Sequence, residues 1–440
     1  MKFNSIFFKA ISSFIGLLIP FYSFIEVPKY FSVITLIILI IYNINILKLN
    51  LINPNIWFLS FCGLYHYSLV YLEIVGFSIN YSLVTIKSNR YMLTVGLFIF
   101  IFNILSIILT KERLILVPRN AEKMNIQKYF SLKKTWLFLL LCVLIYNFYY
   151  LFFIRVSKTE AFLMGLQRFD LLNTLLAIAF SYYVFYSKSK KNQIIGFALL
   201  LGLFISLNTG FRGLFINFLI TSLMILYFYG KIKIYFISII LVLGIIMFSF
   251  LSDFRNVFTG ANNIGSSENL LVKILSNDPM SAATNLDNIL IYLENNNSRG
   301  VETFLFDIAS GFILKSILYI ENSENWYNNT FFPEVVEIGG GMGFSLLASF
   351  LLPIGFFGFI LISVVFSLSL IFYYNYCVKK DLIPLFIVSV LPISYSLRSD
   401  MATLIGFFTR SAIVYFIILW LYSRFEKKEL HRANARKAQV

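Results

Sequence analysis

About twelve apolar runs, most of them long enough to cross a bilayer, leave this chain few choices of fold. They fall near residues 5–25, 29–47, 56–76, 91–110, 135–154, 170–187, 192–209, 211–229, 232–251, 343–374, 383–398 and 402–423. A helix needs about 20 apolar residues to traverse the hydrocarbon core. Inside that core every backbone N–H and C=O must bond internally, which leaves helices or closed barrels. The runs are continuous and lack the short alternation of an outer-membrane barrel, so an all-α polytopic membrane protein is expected. Composition agrees: charged residues make up 13% of the chain, where a soluble domain carries about a quarter. Asn208-Thr209-Gly210-Phe211-Arg212-Gly213 interrupts one long run. The 343–374 run exceeds a single crossing, so its first part is expected to enter obliquely. The first run follows Lys2 and Lys9 without a small-residue cleavage site and reads as a retained helix.

Charge orients these spans. The net charge of +15 gathers in short loops and the tail, which is an orientation signal and not a nucleic-acid footprint. The 111–134 linker holds seven bases against two acids, and the tail from Arg424 holds six bases. Lys188/Lys190/Lys191, Lys231/Lys233 and Lys379/Lys380 mark three tight turns. With twelve spans all of these fall on one side, which the positive-inside rule makes the cytoplasm, together with both termini. Trp57, Trp136 and Trp420 then sit at cytoplasmic helix ends, as interfacial anchors do. The other side receives 26–29, 77–90, 155–169, the 208–213 break, residues 252–342 and the 398–401 turn. Three cysteines (Cys62, Cys142, Cys377) show no disulfide or metal-ligand spacing. The chain divides into an N-terminal transmembrane region of about nine helices (1–251), an outer loop domain (252–342), C-terminal helices (343–423) and a basic tail (424–440).

The 252–342 stretch is polar and acidic, with eleven acids against four bases. Its sign opposes that of the whole chain and points to the cover of an active site on the outer face. Arginines collect on that same face. Arg212 sits in the helix break, Arg398 closes the eleventh span and Arg410 lies inside the twelfth. A charge at membrane depth costs a few kcal/mol on insertion scales, so it marks function by default. Guanidinium groups stay ionised when desolvated and match phosphate oxygens. Arg212, Arg398 and Arg410, with Arg255 at the end of the ninth span, are candidate ligands of a lipid-linked pyrophosphate. Asp253 and Asp400 stand two residues from Arg255 and Arg398, either as local ion pairs or as proton acceptors, and Glu337 before the glycine run is a third candidate base. His66, mid-span, is expected to make an interhelical hydrogen bond. The run Gly339-Gly340-Gly341-Met342-Gly343 lacks the Lys-Ser/Thr of a phosphate-binding loop and is expected to fold backbone closely against the membrane or a ligand. There is no HExxH, no serine elbow, no cysteine–histidine dyad and no Asp-x-Asp pair on the first outer loop. Metal-independent chemistry without a cofactor is expected.

Taken together, Thr209-Gly210-Phe211-Arg212-Gly213, the large late loop, Gly339 to Ser345, Gly355-Phe356-Phe357-Gly358 and Arg398-Ser399-Asp400 resemble the O-antigen or capsular repeat-unit polymerases, the Wzy family. The resemblance covers roughly 200–420. The chain carries Ser349 and Leu351 where such proteins often carry Glu and Tyr. The resemblance implies a GT-C-like fold in the bacterial cytoplasmic (inner) membrane. It also implies an inverting transfer of a growing glycan from undecaprenyl pyrophosphate to an incoming lipid-linked repeat unit. A chain-length regulator and a flippase are the partners it implies. An O-antigen ligase shares the arginine logic but typically carries an outer-loop histidine, which is missing here. A lipid-linked oligosaccharide flippase suits twelve spans but not so large an outer loop or the lack of an inverted repeat.

Overall fold

The computed structural model describes residues 2–110, 278–313, 320–337 and 341–409, except 26, 48, 80, 81, 84 and 380–382, with isolated helical positions at 145, 223–224, 227 and 275. The expected spans between 135 and 251, and the second half of the last one, lie outside the described residues, as do Arg212, Asp253, Arg255 and Arg410.

The described chain is mostly helical. Helices α1 (Lys2–Phe21), α2 (Tyr30–Asn45), α3 (Pro54–His66), α4 (Ser68–Val75) and α5 (Tyr91–Leu109) form the N-terminal part. A two-residue ladder, β1 (Ser78–Ile79) with β2 (Ser82–Leu83), is the one paired extended segment among the described residues. Then come α6 (Asp278–Asn295), α7 (Val301–Phe312), α8 (Ser323–Phe331), α9 (Pro333–Glu337), α10 (Leu346–Lys379), α11 (Ile383–Ser396) and a helical stretch over 401–409. By length and composition α5 and α10 can each cross a membrane, and α3 with α4, bent by 48° between them, make a third.

Local sequence sets these boundaries. Asn53 caps α3 by accepting from Asn55 N, and Pro54 takes the first helical position, where its missing N–H is not needed. Gly76 ends α4 in the left-handed conformation. The long 343–374 run becomes α10, which is broken early in its length. Gly355, at φ 68° and ψ −155°, divides it into a short buried piece and a long outer one. On the long piece Phe359, Ile362 and Phe366 face the core, while Phe357, Leu361, Val365 and Phe372 are exposed. A helix apolar on every side is one built for lipid or deep burial.

Small and polar residues join the helices. A Cβ on Gly96 would stand 2.8 Å from the Pro20 backbone, so α5 lies directly on α1. Next to that contact is a buried amide network. Asn43 receives Ser12 Oγ at 2.6 Å and donates to Asn55 and Asn103, while Asn55 donates to Asn103 and Ser106. Phe58, Phe98, Phe102, Phe350 and Phe366 tie α3, α5 and α10 into one core. Trp57 belongs to that core as well. It is buried, donates its indole N–H to Ile52 O and sets its ring on Phe386, so it is not the interfacial anchor its helix-end position suggests.

The segments assigned to the outer face meet at one end of the helices. Lys29 pairs with Glu73 at 2.9 Å. The Asp287 carboxylate of α6 receives Lys87 N and Ser88 N, both at 2.9 Å, and Ser88 Oγ donates to Glu294. At the opposite end Asn375 of α10 donates to Leu109 O of α5. Ala283, Leu286, Ile289 and Leu290 of α6 share the buried core with α3, α5 and α10.

Candidate functional site

Two motifs more than fifty residues apart in sequence form one structural unit. Residues 394–400 make a tight turn in which Arg398 N bonds Tyr395 O and Ser399 N bonds Ser396 O. The end of the glycine run lies along this turn, with Phe344 N donating to Arg398 O at 3.0 Å and Leu346 N to Leu397 O at 3.4 Å. Gly343 has φ +72°, and a Cβ there would stand 3.2 Å from Arg398 O, 3.6 Å from its Nε and 3.9 Å from its Nη2. Backbone therefore runs against the Arg398 side chain, where the sequence reading looked for the membrane or a ligand. The Arg398 guanidinium lies 5.3 Å from the Tyr395 ring centroid, a cation–π contact.

The loop helices fix the glycine run from the other side. Asn328 of α8 accepts from Met342 N at 2.7 Å, and Ser281 and Asn285 of α6 donate to Met342 O. Tyr327 donates to Asn285 and receives Asn288, both at 2.9 Å, so these amides and this phenol support the scaffold. Trp326, Tyr292 and Phe331 form a partly exposed aromatic group, with the Arg299 guanidinium 4.5 Å from the Trp326 ring centroid.

Two carboxyls complete the site. Asp400 is 0% exposed, and its Oδ1 accepts from Thr403 N at 2.9 Å and Thr403 Oγ1 at 2.8 Å, an N-cap for the 401–409 helix. Asp307 of α7 is also 0% exposed and accepts from Ser323 N and Ser323 Oγ, each at 2.7 Å, at the start of α8. Burial first, then the charge of Asp400, push the Asp307 carboxyl up to about 8, against the opposing pull of the Ser323 donors. Close by, α7 packs tightly on the 401–409 helix. A Cβ on Gly311 would be 2.7 Å from Ile405 Cβ and 2.9 Å from Ala402 O, and Thr409 Oγ1 donates to Gly311 O.

Of the candidate residues read from sequence, Arg398 and Asp400 lie together on the glycine-backed turn. Glu337 is exposed at the end of α9, ahead of the glycine run. Ser349 is buried and donates to Leu346 O. His66 is buried with neither ring nitrogen hydrogen-bonded among the described residues, contrary to the expected interhelical bond. Its carbonyl accepts from Tyr91 instead. Asp307 was not singled out in the sequence. The local signal was an acid flanked by Phe306 and Ile308.

No protein-family model, curated protein or solved structure matches the chain.

Proposed function

We propose that this protein is a metal-independent glycosyltransferase of about twelve spans and GT-C-like fold. In this reading it joins oligosaccharide repeat units carried on a polyprenyl pyrophosphate at the outer face of a bacterial cytoplasmic membrane. The observation that carries the reading is the docking of Gly343 and Phe344 on Arg398. It joins two of the motifs on which the resemblance to repeat-unit polymerases rests, and it sets a cation against backbone beside the loop helices.

The chemistry follows from the parts. An acceptor hydroxyl oxygen attacks the anomeric carbon of the donor glycan. The bond from that carbon to the pyrophosphate oxygen breaks, and the bond to the acceptor forms with inversion. The electron pair leaves on pyrophosphate, where fixed guanidinium groups stabilise the developing charge. Arg398 is assigned to that role, with Arg212, Arg255 and Arg410 as further candidates from the sequence. The hydroxyl proton goes to a carboxylate, assigned first to Asp400 and alternatively to Asp253 or Glu337. The aromatic group of Trp326, Tyr292 and Phe331 offers faces on which sugar rings stack.

The test is the surface-polysaccharide ladder in a host whose own copy is deleted. Complementation with Arg398→Ala is expected to leave single repeats and no ladder. Arg398→Lys, which keeps charge but loses the planar fork, is expected to give shortened chains. A full ladder from Arg398→Ala at normal expression removes Arg398 from the mechanism. Accumulated long polymer that never leaves its lipid carrier identifies a ligase instead, and repeats trapped on the cytoplasmic side identify a flippase.

A further inference from the structure

Helix α7 is turned the wrong way round for a helix in water. Its inward side is polar or small, for Thr303, Asp307 and Gly311 are buried at intervals of four residues. Its outward side is apolar, with Val301, Leu305, Phe306 and Phe312 exposed, Phe312 at 64%. A surface helix of a soluble domain has the opposite arrangement, its apolar stripe inward and its polar residues outward. The chain just before α7 obeys that rule. Glu294, Asn295, Asn296, Asn297 and Ser298 are all polar and all exposed. Besides buried Asp307, the only charged residue of α7 is Glu302, in the first turn beside that polar stretch.

The neighbours of α7 indicate what its outward side meets. Arg299 N and Gly300 N bond Leu352 O and Pro353 O, and α7 packs on α10. At its other end Gly311 lies against Ala402 and Ile405 and accepts from Thr409 Oγ1. α7 is therefore attached both to the 401–409 helix and to α10 within a few residues of Phe357. From there α10, long and apolar enough to cross a membrane, presents Phe357, Leu361 and Val365 outward. The apolar side of α7 begins where that lipid-type face begins.

We propose that α7 lies in one leaflet of the bilayer, the outer one in the topology read from charge. Val301, Leu305, Phe306 and Phe312 meet acyl chains there, while Thr303, Asp307 and Gly311 meet protein. At 12 residues the helix is about 18 Å long, too short to cross a hydrocarbon core of about 30 Å. It therefore enters the leaflet without spanning it. Residues 294–298 stay in water, and Glu302 stands close enough to them to remain hydrated. The 252–342 stretch, acidic overall, is then held against the membrane by a helix of its own. This placement does not depend on the reaction the protein carries out.

Spin-label accessibility tests it. Full-length protein bearing Leu305→Cys, Phe312→Cys, Asn296→Cys or Leu361→Cys is labelled with a nitroxide and reconstituted into phosphatidylcholine–phosphatidylglycerol liposomes. Cys62 and Cys377 are buried, and the unsubstituted protein carried through labelling supplies the blank. Molecular oxygen, which concentrates in lipid, and a water-soluble nickel complex are the two relaxing agents. Labels at 305 and 312 are expected to match the one at 361, with an oxygen-to-nickel accessibility ratio several-fold above that at 296. Both substituted side chains are exposed, so neither change removes core packing, and either label alone decides the matter. A ratio at 305 and 312 equal to that at 296 puts α7 in water and overturns the proposal. Low access to both agents overturns it as well, because protein, a second copy or another part of this chain, then covers the face.

Discussion

Gly343 can be nothing but glycine for two separate reasons, and both converge on Arg398. Its φ of +72° disfavours any Cβ by about 1–2 kcal/mol, and the added carbon would press on the Arg398 carbonyl and stem. Gly343→Ala is therefore expected to shift the guanidinium and shorten the polysaccharide ladder while the protein remains in the membrane, checked by gel and membrane fractionation together. Asp307 gives a second residue-scale expectation, with a definite sign. Its carboxyl is raised from 3.8 to about 8 in the fold, so protonation favours the folded state. Its contribution to stability is complete below the ordinary carboxylate range, is lost as the pH rises from about 4 to about 8, and changes no further above that. Melting in detergent as a function of pH is expected to show this decline in wild type and a weaker one in Asp307→Asn. Arg398 and Asp400 were legible in the sequence because a charge at the end of an apolar run stands out. Asp307 was not, because an acid inside a polar loop looks solvated until the fold buries it.

Elements show how little of a helix's role its composition reveals. The 343–374 run predicts a change of course, and the chain makes it at Gly355, with Arg299 N and Gly300 N bonding the Leu352 and Pro353 carbonyls just before the break. Those bonds attach the chain just before α7 to the end of the short first piece of α10. α6 has too little apolar character to cross a membrane, and its buried alanines and leucines still fill space between α3 and α10. Its Asp287 ties down the loop before α5 through two backbone N–H groups. Asp287→Ala leaves both donors unpaired, and each buried unsatisfied group costs about 1–3 kcal/mol. A clear fall in melting temperature is expected, together with faster proteolysis between residues 77 and 90. An unchanged melt and cleavage pattern would mean that water replaces the carboxylate without penalty.

Across the molecule, the segments that charge counting puts on one side of the membrane are joined to one another by side chains. Lys29 meets Glu73, Asp287 meets the 87–88 backbone, and the glycine run meets the Arg398 turn, all at the end opposite the Asn375–Leu109 contact. Single reporter cysteines at Lys29 and Asn296 are expected to react with an impermeant maleimide added to intact spheroplasts, and one at exposed Tyr376 only after permeabilisation. The reverse pattern would invert the topology and remove the outer-face site. The sequence alone determined the class of fold, because apolar runs in lipid have no alternative to internally bonded helices. It also yields an expectation of which segments share a side, drawn from one-dimensional counts of apolar and basic residues. Tertiary structure alone decided what those counts cannot carry. It buried Trp57, wove Ser12, Asn43, Asn55, Asn103 and Ser106 into one network, closed Gly343 on Arg398 and buried Asp307 against the Ser323 donors. Each of these joins residues far apart in the chain, and such contacts depend on how helix faces turn towards one another. The periodicity of an all-apolar helix leaves that rotation open, and packing of specific small and polar side chains closes it.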